Sequence, residues 1–211
     1  MPFTVEGIQF QGGQVARLSA NGPHSFNIHQ SSGCFDPGYP VWSGHPGRVD
    51  SSGRTFVEAQ PLNQNSAVDD LSQLLQVITC DRSNPSVEVS RRHYRGSLGL
   101  IEQNGQYTFN RVLREQYLRG VVPQETPSSW GTLGGGLGMQ ALRAQAVAAR
   151  TYLEAISQRR QAKGYMTDTC DTVGCQVYLG ASANGKPLDY GPDFWTTTAA
   201  VTDTAAMIRV S

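Results

Sequence analysis

The most regular hydrophobic pattern in the chain runs from Met139 to about Arg160. Apolar residues recur there every three or four positions, which is the spacing of one face of an α-helix. They are Leu142, Ala146, Ala149, Leu153 and Ile156. Because alanine is small and favours helix, the pattern predicts a long helix that another element can approach closely.

Shorter patterns fill the N-terminal part of the chain. Residues 11–64 are dense in Gly, Pro, Ser and Asn, with brief apolar alternations at 7–10 and 54–59. Short strands joined by turns are therefore predicted. Four apolar residues then share one helical face behind two aspartates, which predicts a short helix over residues 69–78. The four are Leu71, Leu74, Leu75 and Ile78.

A β-hairpin and a helix are predicted next. Residues 87–101 alternate as one or two strands, Asn104 and Gly105 supply a turn, and residues 106–110 return as another strand. Residues 111–119 have helical spacing, and a glycine, Gly120, is expected to end that helix.

Glu125 lies between two prolines. Pro123 and Pro127 restrict the backbone on either side, which predicts an irregular, stiff loop that holds Glu125. The glycine-rich stretch at 131–138 predicts a flexible segment in front of the long helix. Beyond that helix, strands are predicted at 176–180 and within 199–210.

These elements together predict an α+β fold, a mixed sheet with a long Ala-rich helix and a loop- and strand-rich N-terminal region. We place the division near residue 90. Residues 1–90 would form the N-terminal β region, and residues 91–211 the core that contains Glu125.

Charge and hydropathy exclude several classes of partner. Seventeen basic residues balance seventeen acidic ones, so nothing in the net charge indicates nucleic acid or an acidic membrane surface. No apolar run reaches the roughly 18–20 residues of a transmembrane segment. The four cysteines suit two disulfides in an oxidising compartment and suit reduced thiols equally well.

Arg143 and Arg150 are seven residues apart on the predicted long helix. Two helical turns place both guanidinium groups on the same side, where they either line a cleft or face water.

Four blocks of sequence carry a resemblance to a known family. They are YRGSLGLIEQNGQYTFNRVLREQYLRGVVPQETPSSW, ALRAQAVAARTY, DTCDTVGCQVYLG and TTAAVTDT, in that order between residues 94 and 210. The set resembles the signature blocks of the stage II sporulation protein D and amidase enhancer family.

The resemblance implies a domain that acts on peptidoglycan glycan strands of the bacterial cell wall. The glutamate of the family's VVPxE loop, here Glu125, would be the essential acid and base of a lytic transglycosylase. Such an enzyme cleaves the bond between muramic acid and glucosamine residues, and the resemblance implies a preference for peptide-free glycan. Position in the family blocks implies that six further residues border the cleft. They are Arg143, Gln145, Arg150, Thr151, Gln176 and Tyr178.

The chain departs from the family pattern in three ways. Gln124 and Thr126 flank Glu125 where relatives commonly have Ser and Met. The glycine-rich stretch is longer than usual, which predicts a local lid or a modified entrance. The chain ends at Ser211, whereas relatives generally continue, so we expect a domain truncated at its C-terminus.

Other interpretations stay open beside the enzyme. Amidase enhancers of the same family imply a non-enzymatic, glycan-binding protein that stimulates a separate cell-wall amidase, and an inactive fragment is a third possibility. At the residue level, Glu125 is alternatively a solvated loop carboxylate, and Gln145 and Tyr178 satisfy buried backbone groups. The resemblance implies a secreted or wall-associated protein.

The cysteines admit two interpretations as well. Cys170 and Cys175 either close a small disulfide loop or provide two zinc ligands, since cysteine or histidine near this block binds zinc in some relatives. A structural zinc needs four ligands, and the nearest histidine in sequence is His93. We therefore favour a disulfide and no metal cofactor. Cys34 and Cys80 would then form the second bridge, which is one of the three pairings that four cysteines allow.

Overall fold

The computed structural model describes residues 2–209 apart from 23, 63–73, 85, 103–104, 171–173, 184–185 and 188–193. It divides into two compact units, Met1–Arg111 and Val112–Ser211. The sequence placed this division near residue 90. The structure places it after Arg111, because residues 88–111 form strands that pair with other strands of the first unit.

Unit 1 consists of short antiparallel strands joined by turns. The described strands are β1 Phe3–Val5, β2 Ile8–Phe10, β3 Val15–Ala20, β4 Phe26–Ser31, β5 Tyr39–His45, β6 Arg48–Val49, β7 Thr55–Pro61, β8 Leu75–Cys80, β9 Glu88–Tyr94, β10 Ser97–Glu102 and β11 Gln106–Arg111. One sheet has the order β11-β10-β7-β1-β2, with β6 paired to β7, and another has the order β3-β4-β5. Strands β8 and β9 form a further antiparallel pair.

The core of unit 1 lies between side chains of the first two of these sheets. Val5 and Phe10 from the first sheet pack with Ile28 from the second. Phe26 of β4 packs in turn with Val57 and Leu100. All but Leu100 are fully buried, so alternation along each strand places one face inward.

Most predicted strands of unit 1 are present, and one predicted helix is wrong. The predicted hairpin corresponds to β10 and β11, which pair from Ser97 and Arg111 to Glu102 and Gln106. Residues 75–78 belong to β8 instead of a helix, and residues 69–73 of that prediction lie outside the described residues. The β-branched Val77, Ile78 and Thr79 favour a strand, and pairing with β9 outweighs the helical spacing of the leucines.

Unit 2 is mainly helical. Helix α1 spans Arg114–Glu125, a run of 3-10 turns spans Ser128–Gly136, α2 spans Met139–Ala162 and α3 spans Phe194–Asp203. Two short strands, β12 at Ser182–Ala183 and β13 at Lys186–Pro187, pair with each other. Helices α1, α2 and α3 pack against one another. The predicted long helix is thus present, and its buried face includes Leu142, Ala146, Ala149 and Leu153.

The predicted end of the first helix is wrong. Gly120 lies inside α1, and the helix continues through Pro123 to Glu125. Gly120 is a packing residue, because a Cβ there would lie 2.5 Å from the Gly180 carbonyl oxygen and 2.7 Å from the Tyr178 ring. Glu125 is therefore the last residue of a helix, not part of an irregular loop.

Two predicted strands after α2 are also wrong. Residues 176–180 lie outside any strand, and residues 199–203 belong to α3. Thr197, Ala200, Val201 and Thr204 are buried, which is helical spacing. Apolar and polar residues in the same stretch also alternate well enough to resemble a strand. Packing on α1 and α2 favours the helix.

Both predicted disulfides are present. Cys34 is bonded to Cys80 in unit 1, and Cys170 is bonded to Cys175 in unit 2. The mixture of sheets and helices makes the fold α+β, as predicted. None of the helices in the described part of the chain is both long and apolar enough to cross a membrane.

Candidate active site

Glu125 stands at the C-terminal end of α1, with its side chain exposed. One carboxylate oxygen, Oε1, accepts a hydrogen bond from the Val177 backbone N–H at 3.0 Å. At the end of the helix, the Thr126 N–H donates a hydrogen bond to the Val122 carbonyl at 3.0 Å. A carboxylate with one oxygen held by a backbone donor has a defined orientation, and its exposure leaves it accessible to a substrate.

The segment around Val177 is itself held in place by its neighbours. Gln176 is buried, and its Nε2 donates to the Ala149 carbonyl of α2 at 3.1 Å. Tyr178 is also buried, and its ring lies 4.7 Å from that of Tyr117 on α1. The Val177 amide is thus fixed between two residues that anchor the chain to two helices.

Gln176 has a further feature. Its Oε1 is buried and has no hydrogen-bond partner within the described residues.

Arg150 does not border a cleft. Its side chain is 0% exposed, and its guanidinium pairs with both oxygens of Glu115 on α1 at 2.9 and 2.7 Å. It also donates to the carbonyls of Val201 and Met207 at 3.3 and 3.0 Å. Arg150 therefore joins α1, α2 and α3 within the core and presents no surface to a ligand.

Arg143 and Thr151 make contacts within unit 2 as well. Arg143 forms an ion pair with Asp203 of α3 at 2.6 Å, on the surface. Thr151 donates to the Val147 carbonyl and accepts from the Arg209 N–H at 2.9 Å, so it fixes the chain after α3. Gln145 is half-buried on the same helix. Of the six residues predicted to border the cleft, Gln176 and Tyr178 flank Val177 in the chain, and both are buried.

The glycine-rich segment forms defined 3-10 turns between Glu125 and α2. Gly134 and Gly135 have φ values of 58° and 67°, in the left-handed region that favours glycine. Gly138 packs so closely on the Trp130 carbonyl that a Cβ would clash with it. The turns present Trp130, Leu133 and Leu137 to solvent, whereas Val121 and Val122 before Glu125 are fully buried.

One contributor to the site could not be found from the sequence. The Val177 N–H is a backbone donor, and the type of a residue gives no information on the position of its backbone N–H.

The cysteines near the site are joined to each other. The sulfur atoms of Cys170 and Cys175 form a disulfide, so neither is a thiolate that could bind zinc. Within the described residues, no group of three or more His, Cys, Asp or Glu side chains is placed to hold a metal ion.

Comparison with known proteins identifies the family. The family model for Stage II sporulation protein (SpoIID) matches residues 102–210, which include all of α1, α2 and α3. The chain belongs to this family, which is associated with the bacterial cell wall and its lysis. No curated protein and no solved structure matches the chain.

Proposed function

We propose that unit 2 is a lytic transglycosylase that cleaves the β-1,4 bond between muramic acid and glucosamine in cell-wall glycan. The observation that carries this proposal is the orientation of Glu125. Its exposed carboxylate is held by the Val177 N–H at the end of a helix, inside the part of the chain that the family model matches.

One glutamate is sufficient for this reaction. The protonated Glu125 gives its proton to the glycosidic oxygen as the bond to the anomeric carbon breaks. A hydroxyl of the same sugar then attacks the anomeric carbon and closes an anhydro ring. The Glu125 carboxylate takes the proton of that hydroxyl, so the acid is regenerated without added water.

The surroundings of the other carboxylates support a single-acid mechanism. Hydrolases that cleave glycosidic bonds usually need a second carboxylate as nucleophile or base. Within the described residues of unit 2, each of the other carboxylates has a partner. Glu115, Glu154 and Asp203 pair with arginines. Asp168 accepts hydrogen bonds from a hydroxyl and an amide. Asp171, Asp189 and Asp193 lie outside the described residues.

The disulfides support a location outside the cytoplasm. Disulfides persist in oxidising compartments and are rare in the cytosol. Both units contain one. A secreted or wall-associated position is also where the proposed substrate, peptidoglycan, is found.

The proposal predicts the products of the reaction. Peptide-free glycan treated with the protein should release fragments with anhydro-muramic ends, as measured by mass spectrometry. Glu125→Gln should lower the rate at least about a hundredfold, because a carboxamide is too weak an acid to protonate the leaving oxygen, while glycan binding is retained. Glu154→Gln is the matched control and should leave the rate unchanged, since this carboxylate pairs with Arg114 at the surface.

Three results would count against the enzyme in different ways. Hydrated reducing ends would indicate a hydrolase with a second carboxylate. Glycan binding without products would favour an amidase enhancer, which can be tested by adding a cell-wall amidase. Equal activity of the Glu125→Gln variant would remove Glu125 from the mechanism.

A further inference from the structure

Two exposed tryptophans lie on adjoining segments of unit 2. Trp130 in the 3-10 turns is 47% exposed, and Trp195 at the start of α3 is 69% exposed. An exposed indole ring presents a large apolar area that a ligand can cover, and two such rings on joined segments can act together.

The two segments are tightly joined. The Thr196 hydroxyl donates to the Ser128 carbonyl at 2.6 Å. Gly131 packs so closely on the Thr196 side chain that a Cβ would clash with it. Trp195 and Trp130 are the chain neighbours of these two contacting residues, so the contact fixes the backbone positions from which both rings project.

Trp130 also lies near Glu125 along the chain. The Trp130 N–H donates to the Pro127 carbonyl at 3.1 Å, which closes a tight turn directly after the helix end. From Glu125 to Pro127 the chain takes two peptide steps, and from Pro127 to Trp130 it makes one turn. The Cα atoms of Glu125 and Trp130 are therefore about 15 Å apart at most. A short oligosaccharide covers that distance.

Glycan is the ligand that these rings fit. In β-1,4-linked glucosamine and muramic acid the ring substituents are equatorial, so each sugar face presents a row of axial C–H groups. The face of an indole carries partial negative charge and a large apolar area, which attracts such a surface. We propose that Trp130 and Trp195 form a sugar-binding subsite that positions a glycan strand relative to Glu125.

This subsite rests on the proposed function for its ligand, and binding can be measured without catalysis. The chain has three tryptophans, Trp42, Trp130 and Trp195. Trp42 in unit 1 is 44% exposed and serves as the matched control. The probe is soluble, peptide-free glycan, titrated against the Glu125→Gln protein so that no substrate is consumed.

Trp195→Ala and Trp130→Ala should each weaken glycan binding about tenfold, whereas Trp42→Ala should not change it. Trp195→Phe should restore most of the affinity, because a ring face is retained. In the active enzyme, Trp195→Ala should raise KM with kcat nearly unchanged, since the subsite positions the substrate and transfers no proton. A variant whose unfolding temperature equals that of the parent protein has kept its fold.

Binding that is as tight in Trp195→Ala as in the parent would overturn the subsite, and so would a complete lack of glycan binding by the parent. Tryptophan-dependent binding by a protein that releases no products would keep the subsite and overturn the transglycosylase. Product release that does not depend on either tryptophan would keep the enzyme and overturn the subsite.

Discussion

Arg143 and Arg150 show how differently two arginines on one helix can be used. Both were predicted to lie on the same side of α2. Arg143 pairs with Asp203 at the surface, while Arg150 is enclosed by Glu115 and the carbonyls of Val201 and Met207. Charge-assisted hydrogen bonds inside a protein are strong, and their loss leaves buried acceptors without a donor.

This difference predicts unequal effects of the same substitution. Arg150→Met should lower the free energy of unfolding by about 3 kcal/mol or more, because three carbonyl and carboxylate partners lose their donor. Arg143→Met should lower it by less than about 1 kcal/mol, as expected for a surface ion pair. Urea denaturation followed by circular dichroism measures both values. Equal losses for the two variants would contradict the assigned role of Arg150.

At this scale the sequence did not predict the surroundings of the candidate residues. Glu125 was selected from its place in a family block, and the structure shows its hydrogen bond. The burial of Arg150 could not be predicted, because its partners Glu115 and Met207 lie 35 and 57 residues away in the chain. Spacing within one helix carries no information on such distant partners.

Among the elements, α1 departs most instructively from its sequence pattern. Glycine and proline usually end helices, yet Gly120 and Pro123 both lie inside α1. Gly120 is needed because the Gly180 carbonyl and the Tyr178 ring approach the helix closely at that point. This close approach brings the segment that contains Val177 within reach of Glu125.

Gly120→Ala should therefore destabilise the protein and displace this segment. Alanine would favour an isolated helix by about 1 kcal/mol over glycine, but the added methyl group should reverse the sign and cost about 1–3 kcal/mol. Because the Val177 N–H would move away from Glu125, we also expect lower transglycosylase activity. Denaturant unfolding and product release measure the two effects. If Gly120→Ala were more stable than the parent protein and fully active, the contact of Gly120 with Gly180 and Tyr178 would be loose enough to accept a methyl group.

Local patterns predicted the elements whose sequence pattern is long or regular. Helix α2 has a long, regular apolar stripe, and the β10–β11 hairpin has clear alternation around a turn. Strand β8 and helix α3 were predicted wrongly, because both are short and contain β-branched residues compatible with either structure. Tertiary packing decides between helix and strand in such segments.

On the scale of the whole molecule, each compact unit contains its own disulfide. The Cys34–Cys80 bond in unit 1 closes a loop of 46 residues, and the Cys170–Cys175 bond in unit 2 closes one of 5. A cross-link stabilises mainly by restricting the unfolded chain, and the effect grows with loop length.

Removing the two bonds should have different costs. Replacing Cys34 and Cys80 by alanine should lower stability by about 4 kcal/mol, and replacing Cys170 and Cys175 by about 2 kcal/mol. Tryptophan fluorescence can assign each loss when it is measured on variants that keep only Trp42 in unit 1 or only Trp130 and Trp195 in unit 2. A larger loss from the shorter loop would contradict the loop-length argument.

The class of the whole fold and the pairing of the cysteines were predicted from sequence, and the division between the units was not. The predicted division near residue 90 fell inside β9, where strand pairing continues. Composition changes near that point, but pairing of β10 with β7 assigns residues 97–102 to unit 1. Such long-range pairing leaves no local mark in the sequence.

The contacts of Arg150 with Met207 and of Thr151 with Arg209 determine when, during synthesis, the core of unit 2 can be completed. A ribosome completes unit 1 at Arg111, and about a hundred further residues, roughly 5–20 s of elongation, must follow before Met207 and Arg209 exist. During that interval the residues of α1 and α2 have been added, but two carbonyl and amide partners of α2 have not. We expect unit 2 to complete its core only once these late residues have been added.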